Sequence, residues 1–197
     1  NLQNEMLVPP ALALFSALLK REGFAVGMFD TTNYKIETDF VDSDKVKMRN
    51  LNVRPYQQRT AFKTTDPYQD WLETVESFGP DLILVGVTEN MFPMAINLLQ
   101  FVDHLGVPVV MGGVFPTFAP ELAMRWKEID ILCVGEGEYP LVELCRRMSR
   151  GENYHNIPGL WVRLKNGDIK RNHIGSLVDM DENPLPDFSI FEDARFY

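Results

Sequence analysis

Three short apolar runs at regular spacing constrain this chain more than any other feature. They are Asp81–Val87, Val107–Met111 and Asp130–Val134. Each is too short for a buried helix, and each is followed by a polar or glycine-rich loop and then by a helical pattern. Apolar side chains at consecutive positions mean burial on both faces, as in a parallel sheet covered by helices. Strand–helix alternation at this spacing therefore predicts an α/β fold, a doubly wound parallel sheet.

The flanking segments fit that frame. Residues from Pro10 to Glu22 read as a helix, opened by Pro9-Pro10 and stopped by Gly23, with Leu12, Phe15, Leu18 and Leu19 on one stripe. Phe24–Phe29 reads as a strand ending at Asp30. A doubly wound sheet also needs a central strand before the first helix, and Glu5–Val8 is the candidate. The polar stretch Thr31–Thr65 is long for a loop and reads as a short helix or a lid. Asp66-Pro67 opens a second helix, with Trp71, Leu72, Val75 and Phe78 on one face and Gly79-Pro80 as its stop. Further helices are expected over Pro93–Leu105, Pro120–Lys127 and Pro140–Arg150. After Gly151 the pattern changes. Leu160–Leu164 and Asp168–Asn172 flank Asn166-Gly167, a hairpin signal. The division expected is an α/β domain over 1–152, a hairpin appendage over 153–177 and a linker over 178–197.

Composition narrows the function. The 197 residues carry a net charge of −9, which argues against nucleic acid or an anionic membrane as partner. No apolar run is long enough to span a membrane, and no signal peptide is visible. Cys133 and Cys145 form no CxxC, so a reduced, cytoplasmic setting fits and a zinc site does not. The absence of an initiator methionine suggests an excised fragment. His104, His155 and His173 have no Cys or Asp at metal-ligand spacing. Walker A, GxSxG and complete GxGxxG patterns are absent.

Candidate site residues lie where open α/β sheets bind ligands, at the carboxyl ends of the strands. The first group is Thr88, Glu89 and Asn90. The second is Gly112, Gly113, Val114, Phe115, Pro116 and Thr117. The third is Gly135, Glu136 and Gly137. Adjacent glycines allow the backbone to approach a bulky flat ligand, although a tight turn would use them equally well. Glu136 and Glu138 could serve as paired carboxylates, but caps for the helix that follows are the simpler reading. Phe92, Phe115, Phe118 and Tyr139 could ring a flat ligand or belong to the core.

The order of these pieces resembles the cobalamin-binding domain that precedes the barrel in B12-dependent radical SAM proteins. The resemblance rests on the first helix and the segment ending in Asp30, on Pro80–Thr88, and on Gly112–Thr117. It extends to the VGEGE run Val134–Glu138, the IPGL run Ile157–Leu160, and Pro184-Leu185-Pro186-Asp187 before the barrel. It implies a flavodoxin-like fold with cobalamin at the strand ends. Thr88 stands where a hydroxyl lines the tail pocket, and Gly112-Gly113 where the nucleotide tail passes.

Two departures follow. DxHxxG, which supplies a histidine to cobalt in many relatives, is replaced by Met6–Pro10, so cobalamin without a protein histidine ligand is expected. Phe115 stands where the family's GGxHPT loop has histidine. CxxxCxxC is absent, so S-adenosylmethionine and a 4Fe-4S cluster are expected only in a radical SAM barrel of the same polypeptide. The parent would be a methyltransferase or a related radical enzyme. The alternatives are a degenerate docking domain that no longer binds cobalamin and, less well supported, an FMN-type nucleotide binder.

Overall fold

The structure is a computed structural model that describes residues 8–34 and 63–192. The first helix, α1, spans Pro10–Arg21. Proline occupies its first turn, where the missing N–H is not needed, and Lys20 and Arg21 sit in its last turn against the helix dipole. Helix α2 spans Pro67–Phe78. The Asp66 carboxylate accepts the Tyr68 N–H at its start, and Gly79, at φ +60°, donates its N–H to Val75 O at its end.

Strand β1 (Ile83–Gly86) follows, then α3 (Phe92–Val102), β2 (Val109–Gly112), α4 (Val114–Phe118) and α5 (Pro120–Ala123). Strand β3 (Ile131–Cys133), α6 (Glu138–Ser149) and the pair β4 (Leu160–Arg163) and β5 (Ile169–Arg171) complete the described elements. The sheet runs β1-β2-β3-β4-β5. It is parallel from β1 to β3, with Gly86 opposite Gly112, and antiparallel from β3 to β5.

Alternate residues feed two cores, as the period of a strand requires. Ile83, Met111 and Leu132 face Val75 of α2 and Ile96 and Leu99 of α3. Val110, Ile131 and Cys133 face Leu141 and Leu144 of α6, with Phe15 and Leu19 of α1 packed against them. Helices thus cover both faces, and the expected α/β class holds.

The hairpin forms where Asn166-Gly167 placed it. Leu164 N–H donates to Asp168 O at 2.8 Å, and Gly167 takes φ +86°. Leu160 pairs with Cys133, so β4 extends the main sheet.

Three expectations are corrected, and two others fall largely outside the described residues. Residues 24–29 form no strand, because no described strand lies beside them to complete a ladder. The candidate central strand falls almost wholly outside the described residues, as does most of Thr31–Thr65. The helix expected over Pro120–Lys127 ends at Ala123 and continues only as turns. Finally, Val114–Phe118 is a short helix. Pro116 sits in its first turn, where no N–H is required, and Thr117 donates both its N–H and its hydroxyl back to Gly113 O.

Candidate functional site

The carboxyl ends of β1, β2 and β3 meet at one pole, and specific bonds tie them together. Val87 N–H donates to Gly112 O at 3.0 Å, and Phe115 N–H reaches Val87 O at 3.4 Å. The Thr117 hydroxyl donates to Gly113 O at 2.8 Å and accepts the Gly135 N–H at 3.1 Å. One side chain therefore joins the loops after β2 and β3. Replacing Thr117 with valine keeps the shape and removes both bonds. A loss of about 1–3 kcal/mol is expected, read as a lower urea midpoint with an unchanged m-value.

The loop after β3 is braced from below. The Cys133 thiol donates to Glu136 O at 3.7 Å. Burial, with a smaller contribution from the Glu138 charge, pushes the Cys133 thiol up to about 12, and burial pushes Cys145 up to about 11. Both thiols stay protonated at neutral pH, so neither is a nucleophile in the folded chain. Iodoacetamide at pH 8 is expected to leave both unmodified until denaturant is added, which intact mass will report. Rapid modification of native protein would refute this.

The predicted site residues divide at this pole. Thr88, Glu89 and Asn90 are exposed in a 3-10 turn, and Thr88 makes no capping bond. Gly113, Val114, Gly135 and Glu136 are exposed, whereas Gly112, Thr117 and Gly137 are half-buried. Pro116 is buried, and the half-buried Phe115 packs against Phe92 with ring centroids 4.6 Å apart and the rings tilted by 50°. Both of these belong to the packing beneath the rim. Glu136 acts as a tether, because its carboxylate accepts the Val178 N–H at 2.6 Å. Neither glutamate caps α6 by a side-chain hydrogen bond: its N-cap is Gly137, and Glu138 only places a negative charge in the first turn.

Gly113 is conformationally required. It sits at φ +105°, and a Cβ there would lie 2.6 Å from Val87 O. Its missing side chain makes room for the backbone of the neighbouring loop. Gly112 differs, since a Cβ there would make ordinary contact with Cys133 at 3.4 Å.

Around these loops runs an apolar rim open to solvent. Val114 is 60% exposed, Phe118 85%, Tyr139 56%, Ile174 63% and Leu177 87%. Sequence reasoning weighed Phe118 and Tyr139 but missed Ile174 and Leu177. Their one signal was apolar character within the otherwise polar tail that follows β5.

A hollow of about 160 Å³ lies at the opposite pole, where Ile83 and Val109 begin their strands. Its lining is mostly apolar, with Asp130, the buried Glu128 and the ion pair of Asp103 with Lys127 as its charged side chains. It shares no residue with the rim. Among the described residues no cluster of His, Cys, Asp or Glu could hold a metal ion, and no helix is long and apolar enough to cross a membrane.

A parallel-dominant sheet covered on both faces by helices, with its strand-end loops tied together at one pole, defines a Rossmann-like α/β domain. Comparison with known proteins is specific about which kind. The chain belongs to the B12 binding domain family, which matches residues 6–145. It is 31% identical over 127 residues to an uncharacterized methyltransferase of Pyrococcus horikoshii, covering 62% of this chain and 28% of that protein. It is 24% identical over 117 residues to 4'-phospho-dehydrooxetanocin synthase of Priestia megaterium, covering 56% of this chain and 16% of that protein.

Among solved structures, the cobalamin-dependent S-adenosylmethionine radical enzyme OxsB, with aqua-cobalamin and S-adenosylmethionine bound, superposes with a TM-score of 0.67. The identity is 19%, over 93% of this chain and 22% of that one. The radical S-adenosylmethionine methyltransferase TsrM from Kitasatospora setae, with cobalamin and a 4Fe-4S cluster bound, gives 0.63 at 20% identity, over 91% and 28%. This chain spans less than a third of the length of each of these relatives.

Proposed function

We propose that this chain holds cobalamin against the carboxyl ends of β1–β3 and presents it to a radical SAM barrel of the same polypeptide. The whole protein would be a methyltransferase or a related radical enzyme. The observation that carries the reading is the apolar rim. Large side chains are left in water around loops otherwise bonded into a fixed frame, which suits a broad, largely apolar ligand. Family membership and the cobalamin named in the OxsB and TsrM structures support that choice of ligand.

The residues present fit the group. Val114, Phe118, Tyr139, Ile174 and Leu177 offer apolar contact. The Thr88 hydroxyl, exposed and without a capping bond, is a donor for a polar tail. Gly112, Gly113, Gly135 and Gly137 supply backbone without side-chain bulk in the loops at the rim. When bound, cobalamin supplies a cobalt centre able to carry a methyl group. The chain's own part is to bind, orient and shield it. No histidine occurs in loops 87–92, 112–118 or 134–139, which supports cobalt without a protein imidazole. His173 follows β5, where its carbonyl accepts the Gly159 N–H at 2.8 Å.

The test is retention of hydroxocobalamin after desalting, followed by its absorbance spectrum. Retention with a base-off spectrum unchanged in His173→Ala is expected. Val114→Glu puts a charge into the rim at an exposed position and is expected to weaken binding at least tenfold while circular dichroism stays constant. A second reading, a docking domain that has lost cobalamin, is favoured by Phe115. In the place of the family's histidine it packs against Phe92. A folded chain that retains no cobalamin would establish that reading instead.

A further inference from the structure

The segment after the hairpin leaves the rim and crosses α1, and it is held there mainly by polar contacts. At the rim, Ile174 lies against Gly135 and the Val178 N–H binds Glu136. Further along, Arg21 donates to Glu182 O at 3.3 Å. Leu177, Met180 and Leu185 are 87%, 70% and 90% exposed, so apolar burial does not secure this stretch.

Asp187 does. Its N–H donates to Ala13 O at 2.9 Å. One carboxylate oxygen accepts the Ser16 hydroxyl at 2.7 Å and the Lys20 ammonium at 2.6 Å. The other accepts the Ser189 N–H and hydroxyl. Ser16 is 1% exposed. It is a polar group buried midway along α1, and the bond to Asp187 satisfies it across 171 residues of sequence. The hydrogen bond from Lys20, then those from Ser189 and Ser16, hold the Asp187 carboxyl well below the usual range, as expected of a carboxylate bound as the anion. Pro184 and Pro186 stiffen the approach. Beyond Asp187, Phe191 is buried and Glu192 pairs at 2.6 Å with Lys63, which lies outside α1.

We propose that Asp187 is a positioning residue, whose receptor is the Ala13, Ser16 and Lys20 face of α1. By fastening 178–192 there it fixes the point and direction in which the chain beyond Glu192 departs relative to the strand-end rim. On the reading proposed above, what it aligns is the barrel over the cobalamin.

The experiment is backbone 15N relaxation on this chain without cobalamin, with hydrogen exchange of β1–β3 as the check on folding. In the parent chain the amides of 184–192 are expected to show order parameters near those of α1, about 0.85. Asp187→Asn, which keeps the shape and removes the charge, is expected to drop them below about 0.6, with sheet protection unchanged. Ser16→Ala, which leaves Lys20 in place, is expected to lower them by less and serves as the test if Asp187→Asn does not fold. Order parameters that stay at the parent value in both variants would overturn the proposal. Loss of sheet protection in step with the strap would also overturn it, since Asp187 would then support the fold and not the exit. Because the measurement needs no cobalamin, failure of the parent chain to retain cobalamin is a separate result and counts against the proposed function alone.

Discussion

Gly113→Ala is expected to destabilise the chain by about 3–5 kcal/mol, enough to unfold much of a marginally stable domain. The backbone there, at φ +105° and ψ −168°, is essentially accessible to glycine only. The added methyl would also stand 2.6 Å from Val87 O and 2.9 Å from Val87 N, and both are backbone atoms that cannot turn aside. Urea denaturation followed by circular dichroism will read the loss. Gly112→Ala is the control. Its methyl would meet Cys133 Cβ at 3.4 Å, so a cost below about 1 kcal/mol is expected. The pair separates fold from ligand. Cobalamin lost in a Gly113 variant reports a broken loop junction, whereas cobalamin lost in Gly112→Ala, with stability kept, reports contact with the ligand. Equal stability of the two variants would show that the Val87 junction carries no such constraint.

Arg163→Met is expected to cost about 2–4 kcal/mol at neutral pH. Arg163 brackets the turns between α5 and β3. Its Nε donates to Ile129 O at 3.1 Å, and one terminal nitrogen donates to Met124 O and Trp126 O, both at 2.8 Å. Methionine retains much of the packing and leaves three carbonyls without those donors. The cost should depend on pH through Asp130. Burial pushes that carboxyl up, while the Val109 N–H and the Arg163 charge oppose the shift. Without Arg163 the folded-state value rises further. A carboxyl raised on folding favours the folded state below its unfolded value and disfavours it once pH passes the folded value. The deficit relative to the parent should therefore shrink as pH falls from 7 toward the ordinary carboxylate range. Paired urea titrations at pH 7 and pH 4.5 will show it. A deficit constant across that range would remove Asp130 from the account, and one below about 0.5 kcal/mol would remove the bracket.

Much of this architecture could be read from local pattern. Apolar runs separated the strands, Asp66-Pro67 and Gly79 bounded α2, and Asn166-Gly167 placed the hairpin. Each of these signals acts within a few residues, through side-chain period, φ preference or a cap. The failures were also physical. A strand exists only with a partner, and among the described residues none lies beside 24–29, so their apolar content did not suffice to make one. The glycine, proline and threonine after β2 looked like a loop, yet Thr117 closes them into a helical turn on Gly113.

The sequence alone determined the class of fold and, through motifs in order, the family resemblance. Tertiary structure decided what each rim residue does. Thr117 meets Gly135 across 18 residues, Glu136 meets Val178 across 42, and Asp187 meets Ser16 across 171. No periodicity records such pairs, because they arise only when packing brings distant segments together. The same holds for Gly113. Its freedom of φ is a property of the residue, but that its missing Cβ faces the Val87 backbone is decided by where β1 ends beside β2.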